Sequence, residues 1–442
     1  MMAWLAMFLA LTLATPATGV TGVEESTRTE KSELQRRLKL IASHDEASIM
    51  QLAEWAERKH LFADADKLYR DIIDRNPQHD SARRKLDHLA ARRQLLVDSE
   101  AFLATHRLLP PRFLRYETKR FIVLSDASPS WTRIQTSRLK RTHHQFMRFA
   151  KRLGLAPLPL KHKLVCVLFK ERSAYLDFAR TRDNASASWI AGYYAPGADR
   201  VVFYNVEHSE GISEARQKLN DMQKEIKLLR QNISRSQRQG SRRQSANLRE
   251  NIGRYQKHFE QETSRIDRFA SSLSAATTVH ESIHQLFFHT GIQSPKVEYP
   301  LWISEGIATA FETGDINLPF GPDRDYDQRR EEFLRMLQNH ELFNLTQLVS
   351  MVEITSGDED VVRRVYHQSY ALVTWLCRFR AEGMREYLNL MRLEHHGEST
   401  PERHIQIFTN AFGDLTRLER AWIRHEQQLL RKSRLITRGR NS

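Results

Sequence analysis

Between Thr118 and Asn205 the apolar residues of this chain stand in short unbroken runs, and elsewhere they recur at helical spacing. "TKRFIVLSD" (118–126) and "HKLVCVLFK" (162–170) each carry such a run, which predicts strands buried on both faces. The segment between them, "WTRIQTSRLKRTHHQFMRFAKRLG", has helical periodicity. "SWIAGYYA" and "DRVVFYN" follow as a strand pair around "PGA", which is turn chemistry. Beyond them, 326–435 is mostly helical in pattern and ends in a basic tail. The expected fold class is α+β: mostly helical, with a small mixed β-sheet placed ahead of the helix at 271–290.

Two further patterns flank this layer. In "IMQLAEWAERKHLFADADKLYRDIIDRNPQHDSARRKL", Ala53, Ala65, Tyr69 and Pro77 fill the small, small, aromatic and terminal-proline places of a segment that resembles a tetratricopeptide hairpin. Such hairpins stack to bury their faces, and only one clear copy is present, so a packed helical module is expected rather than a peptide-binding solenoid. In 212–270, Leu219, Met222, Ile226, Leu229 and Ile233 alternate spacings of three and four. The seam resumes at Leu248, Ile252, Tyr255 and Phe259 after a turn at Gly240, which predicts an antiparallel coiled-coil hairpin. The organisation read from the chain is a leader (1–22), a helical N-terminal module (23–110), an α/β part (111–211), the inserted hairpin (212–270) and a helical part (271–435).

The leader, "MMAWLAMFLALTLATPATG", has an apolar run too short to span a bilayer, followed by small residues suited to cleavage near Ala17 or Gly19. An exported protein, periplasmic or secreted, is expected. The formal charge of +14 is spread along the chain, part of it in the polar segment 207–270. No motif concentrates Lys and Arg among aromatic or base-reading residues, so the expectation is a basic surface that contacts an anionic polymer or membrane surface, and no specific nucleic acid. Cys166 lies in a predicted strand and Cys377 in a predicted helix, each as a small core residue. Two thiols cannot form a cysteine zinc site, and no Cys-x-x-Cys pair is present.

The chemistry-bearing stretch is "TTVHESIHQLFFHTG" (277–291). Leu273, Ala276, Val279, Ile283 and Leu286 give it a helical apolar face, and Gly291 is a natural C-terminal stop. His280 and His284 are four apart, so one helix face can present both imidazoles to one tetrahedral ion. Glu281 points about 100° away from His280, where it can reach a water without ligating. His289, nine residues from His280, falls on the opposite side of the helix, so a third ligand must come from elsewhere. About twenty residues on, "YPLWISEGIATAFETG" (299–314) predicts a second helix carrying Glu305.

Together these motifs resemble the gluzincin (peptidase MA-like) zinc metallopeptidases. The aminopeptidases of that group carry a Trp-x-x-Glu-Gly-x-Ala block with a second glutamate seven residues on, and Trp302, Glu305, Gly306, Ala308 and Glu312 fill those places. The resemblance implies one Zn²⁺ held by His280, His284 and Glu305, with Glu281 as the base and Glu312 supporting a ligand. It also implies an oxyanion-donating tyrosine on a later helix. "RRVYHQSYALVTWL" offers Tyr366 for that place, with Tyr370 one turn on as its competitor. By the same resemblance an edge strand at Gly192, Tyr193 and Tyr194 would pair with the substrate backbone. The order of the whole chain also looks like an uncharacterised domain-of-unknown-function family of exported bacterial proteins with the same two motifs. The Gly-x-Met-Glu-Asn motif that grips a free amine in aminopeptidases is absent, and the aspartate that thermolysin-like enzymes place four residues after the glutamate is Thr309 here.

The expected function is an exported zinc-dependent metallopeptidase acting on a peptide or protein. The alternative is a non-catalytic exported adaptor with a structural zinc, its N-terminal module or coiled coil meeting a protein partner.

Overall fold

The computed structural model describes residues 32–41, 45–59, 61–94, 98–185, 191–238, 242–354, 358–394 and 400–440. The leader at 1–22 and the turn at Gly240 lie outside the described residues. Among the described residues no helix is long and apolar enough to cross a membrane. The chain divides into two compact units, one of residues 12–99 with 159–163 and one holding the rest.

The first unit is helical. It comprises α1 (32–39), α2 (Glu46–Arg58), α3 (Phe62–Arg75) and α4 (Asp80–Gln94). Asp45 caps α2 by accepting the Ser48 N–H at 3.0 Å. Ala53 and Ala65 are fully buried, so α2 and α3 approach closely, and Tyr69 lies in the same core with its hydroxyl on Glu57 at 3.2 Å.

The second unit is α+β and mostly helical, as its patterning implies. After α5 (Glu100–Leu108) come β1 (Leu114–Glu117) and β2 (Phe121–Ser125), then α6 (Pro129–Leu153) and β3 (Leu164–Phe169). Next are α7 (Arg172–Arg182), β4 (Gly192–Ala195) and β5 (Arg200–Tyr204). The sheet order is β1-β2-β3-β5-β4: parallel at β2–β3 and β3–β5, antiparallel at both ends. β2, β3 and β5 are buried at every position, which is why their sequences are unbroken apolar runs instead of alternating ones. Phe102, Tyr175 and Phe178 cover one face, and α6 with the later helix Arg242–His289 covers the other.

α8 (Glu210–Arg238) runs out along α9 (Arg242–His289), and the pair is antiparallel: Arg216 meets Asp267 near one end, and Arg230 reaches Gln256 further out. Leu219, Ile226 and Ile252 are buried in the seam, whereas Tyr255 is exposed. Residue 270 lies inside α9, so the coiled-coil arm and the "HESIH" segment share one helix of 48 residues. Neither a proline nor a capping turn interrupts 242–289, and only the surroundings change, from solvent to core.

The remaining helices are α10 (Leu301–Phe311), α11 (Asp327–Gln338), α12 (Leu345–Ser350), α13 (Glu359–Phe379), α14 (Ala381–Arg392), α15 (Pro401–Phe412) and α16 (Leu415–Arg440). α10 is wedged between α9 and α13. Its Trp302 is fully buried against Tyr387, Phe408 and Phe412 of α14 and α15. Cys166 is buried in β3, Cys377 half-buried in α13, and neither forms a disulfide.

Candidate metal centre

α9 is fixed before its histidines begin. Val279, Ile283 and Leu286 are fully buried, and Phe287 packs edge-on against Phe146 of α6 at 5.3 Å. A buried polar seam holds α9 to α6: Arg138 Nη1 donates to Ser274 Oγ at 2.8 Å, and Thr278 Oγ1 donates to Gln135 Oε1 at 2.9 Å. Gly291 stops the helix with φ +67°, and the Gln293 N–H returns to the Phe287 carbonyl at 3.0 Å. An adjoining face of this helix presents His280 and His284, with ring centroids 5.0 Å apart.

Glu305 arrives from α10. Its Oε2 lies 3.1 Å from His280 Nε2 and its Oε1 3.6 Å from His284 Nε2. One ligand atom from each of the three residues falls within 4.8 Å of the others. A zinc ion with bonds of about 2.0–2.1 Å to tetrahedral N and O donors requires them about 3.3 Å apart, so this donor set matches the size and chemistry of such an ion. Electrostatics agree. The carboxyl groups of Glu281, Glu305 and Glu312 gather around the two imidazoles, with Arg329 on Glu312, and a divalent cation would take the place of the protons that His280 holds there.

Glu312 closes the cluster from behind. It stands just past the end of α10, with extended backbone at ψ 147°, and its Oε1 accepts the His280 Nδ1–H at 3.0 Å. That bond leaves Nε2 of His280 facing Glu305 and the donor cluster. Burial would lower the pKa of His280, but the hydrogen bonds to Glu305 and Glu312 outweigh it and hold it at about 10 in the absence of metal. Burial would raise Glu305 and Glu312. The charges of His284 and His280 instead keep Glu305 well below its usual range, and the charge of Arg329 brings Glu312 down to about 2. Arg329 comes from α11 and grips Glu312 with two parallel bonds, both 2.8 Å. Nothing in the sequence marks it, because a loop of irregular backbone separates it from Glu312.

Residues 274–394 match the model of a protein family described as a protein of unknown function (DUF1570). No curated protein matches the chain. The matched span begins six residues before His280 and reaches past α13, so it contains every residue named so far in the cluster.

Glu281 stands outside the donor cluster. Its Oε2 accepts the main-chain N–H of Tyr194 at 3.0 Å, from β4 at the edge of the sheet. Burial raises its pKa, opposed by the charges of His280 and His284. Gly192 explains how the strand comes so close: a Cβ there would sit 2.4 Å from the Phe203 ring and 2.9 Å from Thr277 of α9. Tyr193 is held by Asp183 at 2.7 Å, and Tyr194 stacks on Phe288 at 5.8 Å.

Tyr366 of α13 lies parallel to the His280 ring, with centroids 6.2 Å apart and planes at 12°. Burial, then the charge and hydrogen bond of Glu305, push its hydroxyl well above the usual range. Tyr370 is turned elsewhere: its hydroxyl accepts the Tyr326 N–H at 2.8 Å. His289 pairs with Asp199, away from His280 and His284. Thr309 donates back to the Glu305 main-chain carbonyl at 2.7 Å, and it is Glu312 that reaches His280.

Proposed function

We propose that the chain is an exported zinc-dependent metallopeptidase of the gluzincin type. The observation that carries this reading is the convergence of His280, His284 and Glu305 at tetrahedral donor spacing, with the Glu281 carboxylate beside them but outside the cluster. His280, His284 and Glu305 would hold the ion. When bound, zinc supplies a Lewis acid for the scissile carbonyl and makes water acidic enough to be deprotonated near neutral pH.

The residues of the chain do the rest. Glu281, its carboxyl pKa raised by burial, accepts a proton from the attacking water and returns it to the leaving amine. Tyr366 keeps its proton across the physiological range and donates a hydrogen bond to the oxyanion as it develops. β4 is an edge strand, and with the Tyr194 N–H given to Glu281, the Gly192 main chain and the Tyr194 carbonyl are the groups an extended peptide would pair with. The apolar run at residues 3–14 and the small residues after it support export.

The test is Glu281→Gln. The variant is expected to keep one zinc per chain while hydrolysis of a peptide library falls by about 10²–10⁴. Wild-type cleavage rates in the variant, or hydrolysis by wild type that survives complete removal of metal, would overturn the assignment.

A further inference from the structure

The geometry points to Arg329 as the residue that sets the metal affinity of the site, acting through Glu312 on the tautomer of His280. This rests on the metal-site reading above. Three bonds carry it in line. The Arg329 fork holds both oxygens of Glu312 at 2.8 Å, Glu312 Oε1 lies 3.0 Å from His280 Nδ1, and His280 Nε2 faces the donor cluster.

The chemistry turns on which nitrogen of His280 carries its hydrogen. An ionised Glu312 has only acceptors, so it requires the hydrogen on Nδ1 and leaves Nε2 with a lone pair for a cation. Arg329 holds the Glu312 carboxylate by both oxygens at 2.8 Å, so the oxygen on Nδ1 cannot turn away. It also fixes the carboxylate in the plane that His280 needs. The two residues are seventeen positions apart on different elements, so the fold of the 312–326 loop is what assembles the relay. A lysine could supply the charge but not the fork.

Arg329 touches no donor atom of the cluster, so it is a positioning residue. The test is competition for zinc between a chelating dye and the full chain in five forms: wild type, Arg329→Met, Arg329→Lys, Glu312→Gln and the double variant Glu312→Gln/Arg329→Met. Arg329→Met is expected to weaken zinc binding 10- to 100-fold, and Arg329→Lys by less. In the Glu312→Gln background the carboxamide oxygen can accept the Nδ1–H without any cation, so there the loss of Arg329 should cost no more than about threefold. Zinc affinity of Arg329→Met equal to wild type, or losses that multiply in full in the double variant, would overturn the proposal. Unfolding of the metal-free variants reports whether Arg329→Met folds. If it does not, the double variant, which leaves no charge buried without its partner, and Arg329→Lys decide the matter by the same criteria. A wild-type chain that binds no zinc at all sinks the metal-site reading and this inference with it, a result distinct from failure at Arg329 alone.

Discussion

The main-chain N–H of Tyr194 donates to the Glu281 carboxylate at 3.0 Å, joining the edge strand of the sheet to the helix that carries the histidines. A hydrogen bond to a charged group contributes about 1.5–3 kcal/mol, enough to fix the direction of the carboxylate. Because β5 does not use this N–H, a proline at 194 keeps the strand pairing while deleting the bond. Tyr194→Pro is expected to retain zinc and to lose roughly ten- to a hundredfold in kcat for peptide hydrolysis, by that same energy. Tyr194→Phe keeps the N–H and serves as the control for the side chain. Equal rates in the two variants would show that the bond does not position the base.

The two tyrosines of α13 separate in a similar way. Tyr366 faces His280 and Glu305, whereas the Tyr370 hydroxyl is committed to the Tyr326 main chain. Tyr366→Phe should lower kcat by about 10²–10³, the worth of one oxyanion donor, with little change in the unfolding midpoint. Tyr370→Phe should do the reverse: it leaves a part-buried N–H without its acceptor, at about 1–3 kcal/mol of stability, and spares kcat. Steady-state kinetics beside thermal unfolding read both, and exchanged outcomes would move the donor to Tyr370.

Gly306 sets the distance between the ligand helix and the tyrosine helix. A Cβ there would meet Val373 Cγ2 at 2.9 Å and the Ser369 Cβ and carbonyl oxygen at 3.0 Å. All three contacts belong to α13, and the Ser369 carbonyl is part of its backbone, so Gly306→Ala forces α10 and α13 apart. A destabilisation of about 1–3 kcal/mol is expected, together with a fall in kcat as Tyr366 retreats from Glu305. A variant as stable and as active as wild type would show that the helices have slack at this point.

Stability of the metal-free chain should peak near pH 6.5. His143 is lowered to about 4 by burial, then by the charges of Arg120 and His144, and His367 to about 3 by burial and then by the charge of Arg329. Unfolded, both take up protons near 6.5. As the pH drops below that value the unfolded chain therefore binds more protons, and stability falls by up to about 1.4 kcal/mol per pH unit for each histidine. His280 works in the other direction. Its folded pKa of about 10 gives a contribution that is complete below 6.5 and fades as the pH rises towards 10. Denaturant midpoints across pH should show both limbs, with His367→Gln flattening the acid limb and added zinc removing the alkaline one. An acid limb unchanged by His367→Gln would contradict the assignment of that slope.

What the chain determines by itself is local. The unbroken apolar runs at 121–124 and 164–169 reveal strands buried on both faces, because a strand between two layers has no polar side to present. The four-residue spacing of His280 and His284 is legible because both lie on one helix face, where geometry follows from sequence separation, whereas Glu312 turns out to stand just past the end of the helix that carries Glu305. Gly291 announces the end of α9 because only a glycine takes its positive φ without strain.

Contacts between elements were set by tertiary structure alone. Arg329 reaches Glu312 through a loop with no periodicity. Tyr194 meets Glu281 because Gly192 lets β4 settle on α9, and nothing near residue 281 foretells it. The single 48-residue α9 was equally hidden: a helix that passes from solvent into a core changes its polar pattern midway without changing its backbone. Tyr366 and Tyr370 share one face and differ in sequence only by a turn, so their different hydrogen-bond partners depend on what packs above each of them. Local spacing supplied the donors that face one another; packing decided which groups hold them there.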